Sequence, residues 1–348
     1  MTIGTQLIHA WRSTLELCRI RPDESVVLLT GPHAHPDNEL ASQLAVEQLG
    51  ATLVTMKLNE RSRPNMAAES TAHLGPTALT GNRPAMEALR HADVVIDLMG
   101  MDRGHEQTDI LASGTRILLV KEPPETLVRL IPSAEDKRRV VEATQRVRNS
   151  RHMRIESEHG TRLCVEVGQY ECLSQYGYAD EPGRWDHWPG AFVATWPNER
   201  SANGTVVLAP GDTILPFKQY VRTPIRLNIE NGYIRSIEGG FDARYLRDYM
   251  AMFNDPEGYA VSHLGWGLYS AAHWTALGLH DKRQTNGMEA RSFEGNFMFS
   301  TGPNLEGGGT RDTPCHLDIP MLDCSLYLDD TPITLRGRIV PAPATSDT

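Results

Sequence analysis

Near residue 150 the hydrophobic pattern of the chain changes period, and that change limits the folds open to it. Upstream, short apolar runs alternate with segments of helical spacing. Ser25–Thr30 reads as a strand, Asn38–Leu49 as a helix ending at Gly50, and Ala51–Leu58 as a second strand. A long polar stretch, 59–83, precedes a proline-initiated helix over Pro84–Ala92, the strand Asp93–Met99 and, past a loop, the strand Arg116–Val120. Strands alternating with helices predict an open, mainly parallel α/β sheet. Ser133–Ser150 reads as the helix that closes this part.

Downstream the chain turns to strands and tight turns. Ile225–Ile229 and Tyr233–Ile237 flank Glu230-Asn231-Gly232, a hairpin signature, because Asn-Gly tolerates the positive φ angles of a type I′ turn. Phe241–Phe253 reads as a helix, Leu268–Leu279 looks helical, and Ser325–Leu328 and Ile333–Val340 form two further strands. Pro341–Thr348 reads as a frayed tail. The expected fold class is therefore α/β plus α+β. An N-terminal α/β domain occupies 1–150 and a strand-rich C-terminal domain occupies 151–348.

Composition removes several functions. At 348 residues the chain is long enough for two domains that each bury a core. A formal net charge of -10 argues against a nucleic-acid partner, since phosphate backbones are bound by clustered Lys and Arg. The first strand is followed by Gly31-Pro-His-Ala-His-Pro and not by a G-x-G-x-x-G turn, which argues against a nucleotide cofactor. Five cysteines with no CxxC spacing read as reduced thiols, and no apolar run approaches the roughly 20 residues that cross a bilayer. The expectation is a cytoplasmic protein with no membrane partner.

The chemistry concentrates in Asp312-Thr-Pro-Cys-His316-Leu-Asp318. Side chains at i and i+2 of a strand share a face, so His316 and Asp318 present an imidazole and a carboxylate side by side. These are two thirds of a 2-His-1-carboxylate triad, which leaves positions on a metal open. A polar strand face alone carries the same spacing, so a second histidine is required. His263, in Ser262-His263-Leu-Gly-Trp-Gly267, is the best candidate. Cys315 falls on the opposite face and reads as core. Asp312 is a candidate acceptor for a ligand imidazole.

Two further histidines stand beside possible substrate surfaces. His105 follows the carboxyl end of the strand Asp93–Met99, where open α/β sheets bind ligands, although a loop histidine is more often solvated surface. His187 lies between Trp185 and Trp188. Aromatic walls with one imidazole suit a flat heteroaromatic ring, and equally suit an aromatic core. His33 and His35 read as a surface loop, and His273 and His280 as helix-surface or packing residues.

The order of motifs resembles a known pair of families. Ser262–Gly267, the Gly295-x5-Thr301-Gly302 block with Ser300, Gly307-Gly308-Gly309 and His316-x-Asp318 resemble the metal-binding half of the M29-type thermophilic metalloaminopeptidases. Over nearly the whole chain, the sequence is more similar to the 2,5-dihydroxypyridine 5,6-dioxygenase family, which shares that scaffold. Departures separate the two. A peptidase Gly-Glu-Val motif reads Gly204-Thr205-Val206 here, a peptidase glutamate falls at His263, and a peptidase histidine falls at Met298. Lost carboxylates disfavour a dinuclear hydrolytic site and favour a single metal.

The dioxygenase resemblance implies Fe(II) held by His263, His316 and Asp318, with Ser300 at or near the metal. It implies His105 as catalytic acid/base taking a proton from the substrate and His187 as a substrate contact. It implies a hydroxypyridine substrate with O2 as cosubstrate, and a reaction that opens 2,5-dihydroxypyridine between C5 and C6 to give N-formylmaleamate. It implies a homo-oligomer as well. An M29-like metal-dependent hydrolase, a dioxygenase for a substituted hydroxypyridine, and a non-enzymatic metal or small-molecule binding protein stay open at this point.

Overall fold

The computed structural model describes residues 4–59, 77–101 and 105–341. Most of the long polar stretch, the loop residues 102–104 and the expected frayed tail from 342 lie outside the described residues.

The elements follow from local chemistry. Helix α1 (Thr5–Leu17), which the patterning above did not single out, buries Leu7, Ala10, Trp11, Thr14 and Leu15 along one stripe. Strand β1 (Ser25–Thr30) leads to α2 (Pro36–Leu49), which begins at a proline and is capped by His35 accepting the Asp37 N–H. The pair His33 and His35 is thus a helix entry. Strand β2 (Thr52–Lys57), helix α3 (Arg83–Arg90), strand β3 (Val94–Asp97), helix α4 (His105–Ala112) and strand β4 (Arg116–Leu119) continue the alternation. Helix α5 (Pro124–Arg129) follows. Helix α6 (Ala134–Arg148) opens on a capping box in which Ser133 and Asp136 bond each other's backbone N–H.

Beyond it lie β5 (His152–Glu156), β6 (Arg162–Glu166), β7 (Cys172–Gln175), β8 (Trp185–His187), β9 (Phe192–Thr195), β10 (Asn203–Leu208), β11 (Thr213–Ile214) and β12 (Gln219–Tyr220). The hairpin β13 (Ile225–Glu230) and β14 (Tyr233–Gly239) turns through Asn231 and Gly232, both at positive φ, as the sequence requires. Helix α7 (Phe241–Ala251), strand β15 (Val261–Gly267), helix α8 (Met288–Ser292), and strands β16 (Phe297–Thr301), β17 (Leu317–Met321), β18 (Ser325–Leu328), β19 (Thr331–Leu335) and β20 (Arg338–Ile339) complete the chain. The helical reading of 268–279 is corrected. Tyr269 bridges Phe293, and helix is confined to a 3-10 segment, Trp274–Gly278.

The chain divides into two compact units. The first comprises 1–140, 175–191 and 271–290. Its sheet runs β2-β1-β3-β4-β8 with every pair parallel, in keeping with the expected open α/β sheet. The second comprises 141–174, 192–270 and 291–348. An eight-stranded sheet, β14-β13-β10-β6-β5-β18-β19-β20, a five-stranded sheet, β17-β16-β15-β9-β7, and the small pair β11-β12 supply its strands, all antiparallel where the second unit's pairings are given. These units and the expected cut at residue 150 are different divisions of the chain, because strand β8 and the segment 271–290 return to the first unit. Among the described residues no helix is long and apolar enough to cross a membrane.

Candidate metal centre

The five-stranded sheet of the second unit builds the site. Strand β16 lies between β15 and β17, and Ser300 pairs directly with Asp318 across β16 and β17. On the other side the register slips. Val261 pairs Thr301 and Leu264 pairs Phe299, so Ser262 and His263 together face Ser300. This is a β-bulge, which re-aims the side chain it carries. The Ser300 hydroxyl fixes the bulge by donating to the His263 carbonyl at 2.7 Å.

His263, His316 and Asp318 converge, with ligand atoms of all three within 4.8 Å of one another and all three side chains buried. His263 Nε2 and His316 Nε2 lie 3.1 and 3.3 Å from the same atom, Asp318 Oδ1. The two imidazole centroids are 5.4 Å apart, and Trp196 packs edge-on against His263 at 5.7 Å. His316 Nδ1 sits 2.8 Å from the Thr301 carbonyl, which can only accept, so Nδ1 carries the proton. In the neutral ring Nε2 is then an acceptor facing the acceptor Oδ1. Two lone pairs at that distance require a cation between them or an imidazolium, and the donor set of two imidazole nitrogens and one carboxylate oxygen suits a divalent transition metal.

Asp318 is held on its other side. Arg291 Nε donates to Oδ2 at 2.8 Å, and both side chains are buried. Burial pushes the Asp318 carboxyl up, but His316, Arg291 and His263 beside it outweigh burial and hold it well below the usual carboxylate range. The backbone of Asp318 is fixed by exchange with Leu215, whose N–H donates to the Asp318 carbonyl at 2.8 Å. Burial pushes the neighbouring Cys315 thiol up to about 12, so it is a protonated core residue as expected, although strand β17 begins only at Leu317, so that Cys315 and His316 precede the strand on which they were expected. Asp312 is exposed; the acceptor that orients His316 is the Thr301 carbonyl. Arg291, Trp196 and Thr301 were not legible from spacing, since each is far in sequence from the side chain it holds or acts through its backbone.

The other expected residues belong to the first unit. His105 is the exposed first residue of α4, following the carboxyl end of β3. The Asp97 carboxylate shapes that connection by accepting the N–H groups of Met99, Gly100 and Met101 at 2.8, 2.9 and 2.6 Å. His187 is the buried last residue of β8, paired with Leu119, with the Trp185 ring 6.4 Å away. The second expected aromatic wall is corrected. Trp188 packs edge-on against Trp11 at 5.0 Å and donates its indole N–H to the Leu130 carbonyl, so it is core. His280 contacts the Thr126 hydroxyl at 3.2 Å, and His273 is exposed.

The family profile of 2,5-dihydroxypyridine 5,6-dioxygenase matches residues 6–341. The chain belongs to that family. It is an enzyme of the oxidoreductase class by that membership. A 2,5-dihydroxypyridine 5,6-dioxygenase of Pseudomonas putida KT2440 is 50% identical over 338 residues, covering 97% of each chain. The solved structure of 2,5-dihydroxypyridine dioxygenase from the same strain superposes with a TM-score of 0.94 at 49% identity, over 97% of both chains. Wild-type AmpT from Thermus thermophilus gives a TM-score of 0.65 at 16% identity over 98% of this chain and all of its own, which shows a shared fold. The expected relation to the M29-type scaffold is borne out.

Proposed function

We propose that this protein is an Fe(II)-dependent extradiol-type dioxygenase that converts 2,5-dihydroxypyridine and O2 to N-formylmaleamate by opening the C5–C6 bond. The observation that carries the reading is the buried convergence of His263, His316 and Asp318, in a member of this family. Both oxygen atoms of O2 enter the product, so the reaction needs no external reductant. Bound iron(II) supplies the one-electron chemistry that lets dioxygen react with an electron-rich ring.

The chain's own residues do the rest. His263, His316 and Asp318 offer three donors, which leaves further metal positions open for substrate and oxygen. Ser300, opposite Asp318 and bonded to the His263 backbone, is carried as a fourth contact, direct or through water. His105 takes the proton of the substrate's 5-hydroxyl, a transfer worth roughly 10²- to 10⁴-fold in such sites. His187 donates to or accepts from a hydroxyl oxygen carried by the ring. Burial of the donors keeps bulk water from the reacting atoms. Free cysteines, three of them buried, support a cytoplasmic setting, and the family resemblance supports a homo-oligomer.

A hydrolase of the peptidase kind is disfavoured. Thr205 lies on β10 of the eight-stranded sheet with its hydroxyl toward Asn228, and His263, His316 and Asp318 form the one such ligand cluster among the described residues. The test is anaerobic reconstitution of metal-free protein with Fe(II) or Zn²⁺, followed by 2,5-dihydroxypyridine and air. Expected is oxygen uptake stoichiometric with loss of ring absorbance in the iron sample alone, abolished by His316→Ala. Untouched oxygen together with cleavage of a leucyl amide by the zinc sample would overturn the proposal.

A further inference from the structure

The Asp318 carboxylate has two unlike oxygens. Oδ1 is the atom toward which both imidazole Nε2 atoms converge, at 3.1 and 3.3 Å. Oδ2 takes the Arg291 Nε–H at 2.8 Å. Arg291 is itself held in place. Its carbonyl accepts from the Asn296 amide at 2.8 Å, while the Asn296 oxygen accepts the Gly267 N–H at 2.6 Å, tying Arg291 to the end of β15. Arg291 is nine-tenths buried and Asp318 more so, which leaves little water to compete for Oδ2.

We propose that Arg291 is a positioning residue that fixes Asp318 as a single-oxygen ligand, occupying Oδ2 so that only Oδ1 is offered to the metal. A carboxylate free at both oxygens can close onto a metal in bidentate fashion and fill a position that a substrate or oxygen atom needs. Capping one oxygen with a guanidinium N–H prevents this. The charge follows the same logic. Two neutral imidazoles, one carboxylate and one guanidinium sum to zero, so a divalent ion makes the ensemble doubly positive and favours a ligand that binds as an anion. The inference rests on the three-residue centre being a metal site, and the experiment separates the two.

Co(II) is the probe, because its visible absorption weakens as coordination number rises. Metal-free wild type, Arg291→Met and Arg291→Lys are titrated to saturation. Absence of any Co(II) spectrum in the wild type overturns the metal centre and this inference with it. With a wild-type spectrum in hand, the expectation is a weaker, shifted spectrum for Arg291→Met and recovery of the wild-type spectrum for Arg291→Lys, which keeps a charged donor. Equal change in both variants, or change in neither, overturns the positioning role. Affinity is the poorer readout, since losing orientation weakens binding, typically 10- to 100-fold for such outer contacts, while losing a nearby positive charge strengthens it. Should Arg291→Met fail to fold, infrared difference spectra of wild-type protein with and without Co(II), assigned with Asp318→Asn, decide the question. A wide splitting of the Asp318 carboxylate stretches on metal binding supports single-oxygen ligation, and a narrow one overturns it.

Discussion

Buried carboxylates in this chain divide by what surrounds them. Asp318 has cationic and imidazole neighbours that hold it ionised, whereas Asp212 accepts two backbone N–H groups, from Ala209 and Leu322 at 2.7 Å each, and has the like charge of Asp323 nearby. Burial outweighs those two bonds and, with Asp323 adding to it, pushes the Asp212 carboxyl up to about 7. A carboxyl whose folded value lies above its unfolded one binds its proton more tightly when folded, so its contribution to stability is present in acid and lost as pH rises toward 7. The magnitude is about 1.4 kcal/mol per pH unit across that window. Asp212→Asn cannot ionise. The stability of wild type relative to Asp212→Asn, measured by urea unfolding, is therefore expected to fall from pH 5 to pH 8, and parallel pH profiles would refute the assignment. Such residues explain what sequence could and could not show. His316 and Asp318 announced themselves by a spacing of two, but Arg291 acts on a partner 27 positions away, and one of the two N–H groups on Asp212 comes from Leu322, 110 positions away, which no local pattern shows.

Strands β15, β16 and β17 hold the centre through close backbone approach, and Gly302 is where that approach bears on the segment carrying His316. It sits at φ +103, and a Cβ there would lie 2.2 Å from the Cys315 carbonyl and 3.2 Å from the His316 Cα. Gly302→Ala is expected to cost at least ~1–3 kcal/mol in backbone strain alone. It should also displace His316 from the Thr301 carbonyl and lower Co(II) affinity about 10-fold or more. Gly308→Ala is the control, since Gly308 has a similar φ of +86 but open space around its Cβ. It should lower the melting temperature modestly and leave Co(II) affinity unchanged; equal loss of affinity in both variants would show that strain, not the clash, disturbs the centre. The strands were legible where turn chemistry is local, as in the Asn231-Gly232 hairpin and the α2 stop at Gly50. The helix expected over 268–279 failed because its backbone is claimed elsewhere: Tyr269 bonds Ser292, and Glu289 takes the His273 N–H at 2.7 Å. The bulge at His263 was invisible as well, because a one-residue slip is a property of the pairing and not of either strand.

At the scale of the whole molecule, chain order and compact units diverge, and buried carboxylates secure the divergence. In the first unit, Arg129 grips Glu289 through both oxygens at 2.6 Å, and Glu122 accepts from the Thr285 hydroxyl at 2.5 Å and the Met288 N–H at 2.8 Å. Segment 271–290 thus returns to a unit that the chain left long before, which no periodicity could announce. Arg129→Ala leaves Glu289 buried without its cation. Breaking a fully buried pair costs about 3–5 kcal/mol, and the partial exposure of Arg129 reduces this to roughly 2 kcal/mol. Hydrogen exchange should speed up in 271–290, and unchanged exchange would deny the clamp its role.

The second unit gathers its centre from equally distant places, with His263 on β15 and His316 and Asp318 more than fifty positions later. A metal bound there joins β15 to β17 across β16, and it binds the folded chain in preference to the unfolded one, where those donors are scattered. At a hundredfold excess of metal over its dissociation constant the linkage is worth about 2.7 kcal/mol. Because the added bonds lie within one sheet, amides of β15, β16 and β17 are expected to gain protection when Co(II) is added, and amides of β1 and β3 are expected to change little. The same metal added to His316→Ala should produce no such gain. Protection spread evenly over both units would mean that the metal reports on global unfolding, and a gain that survives in His316→Ala would place the metal somewhere other than the His263, His316 and Asp318 centre.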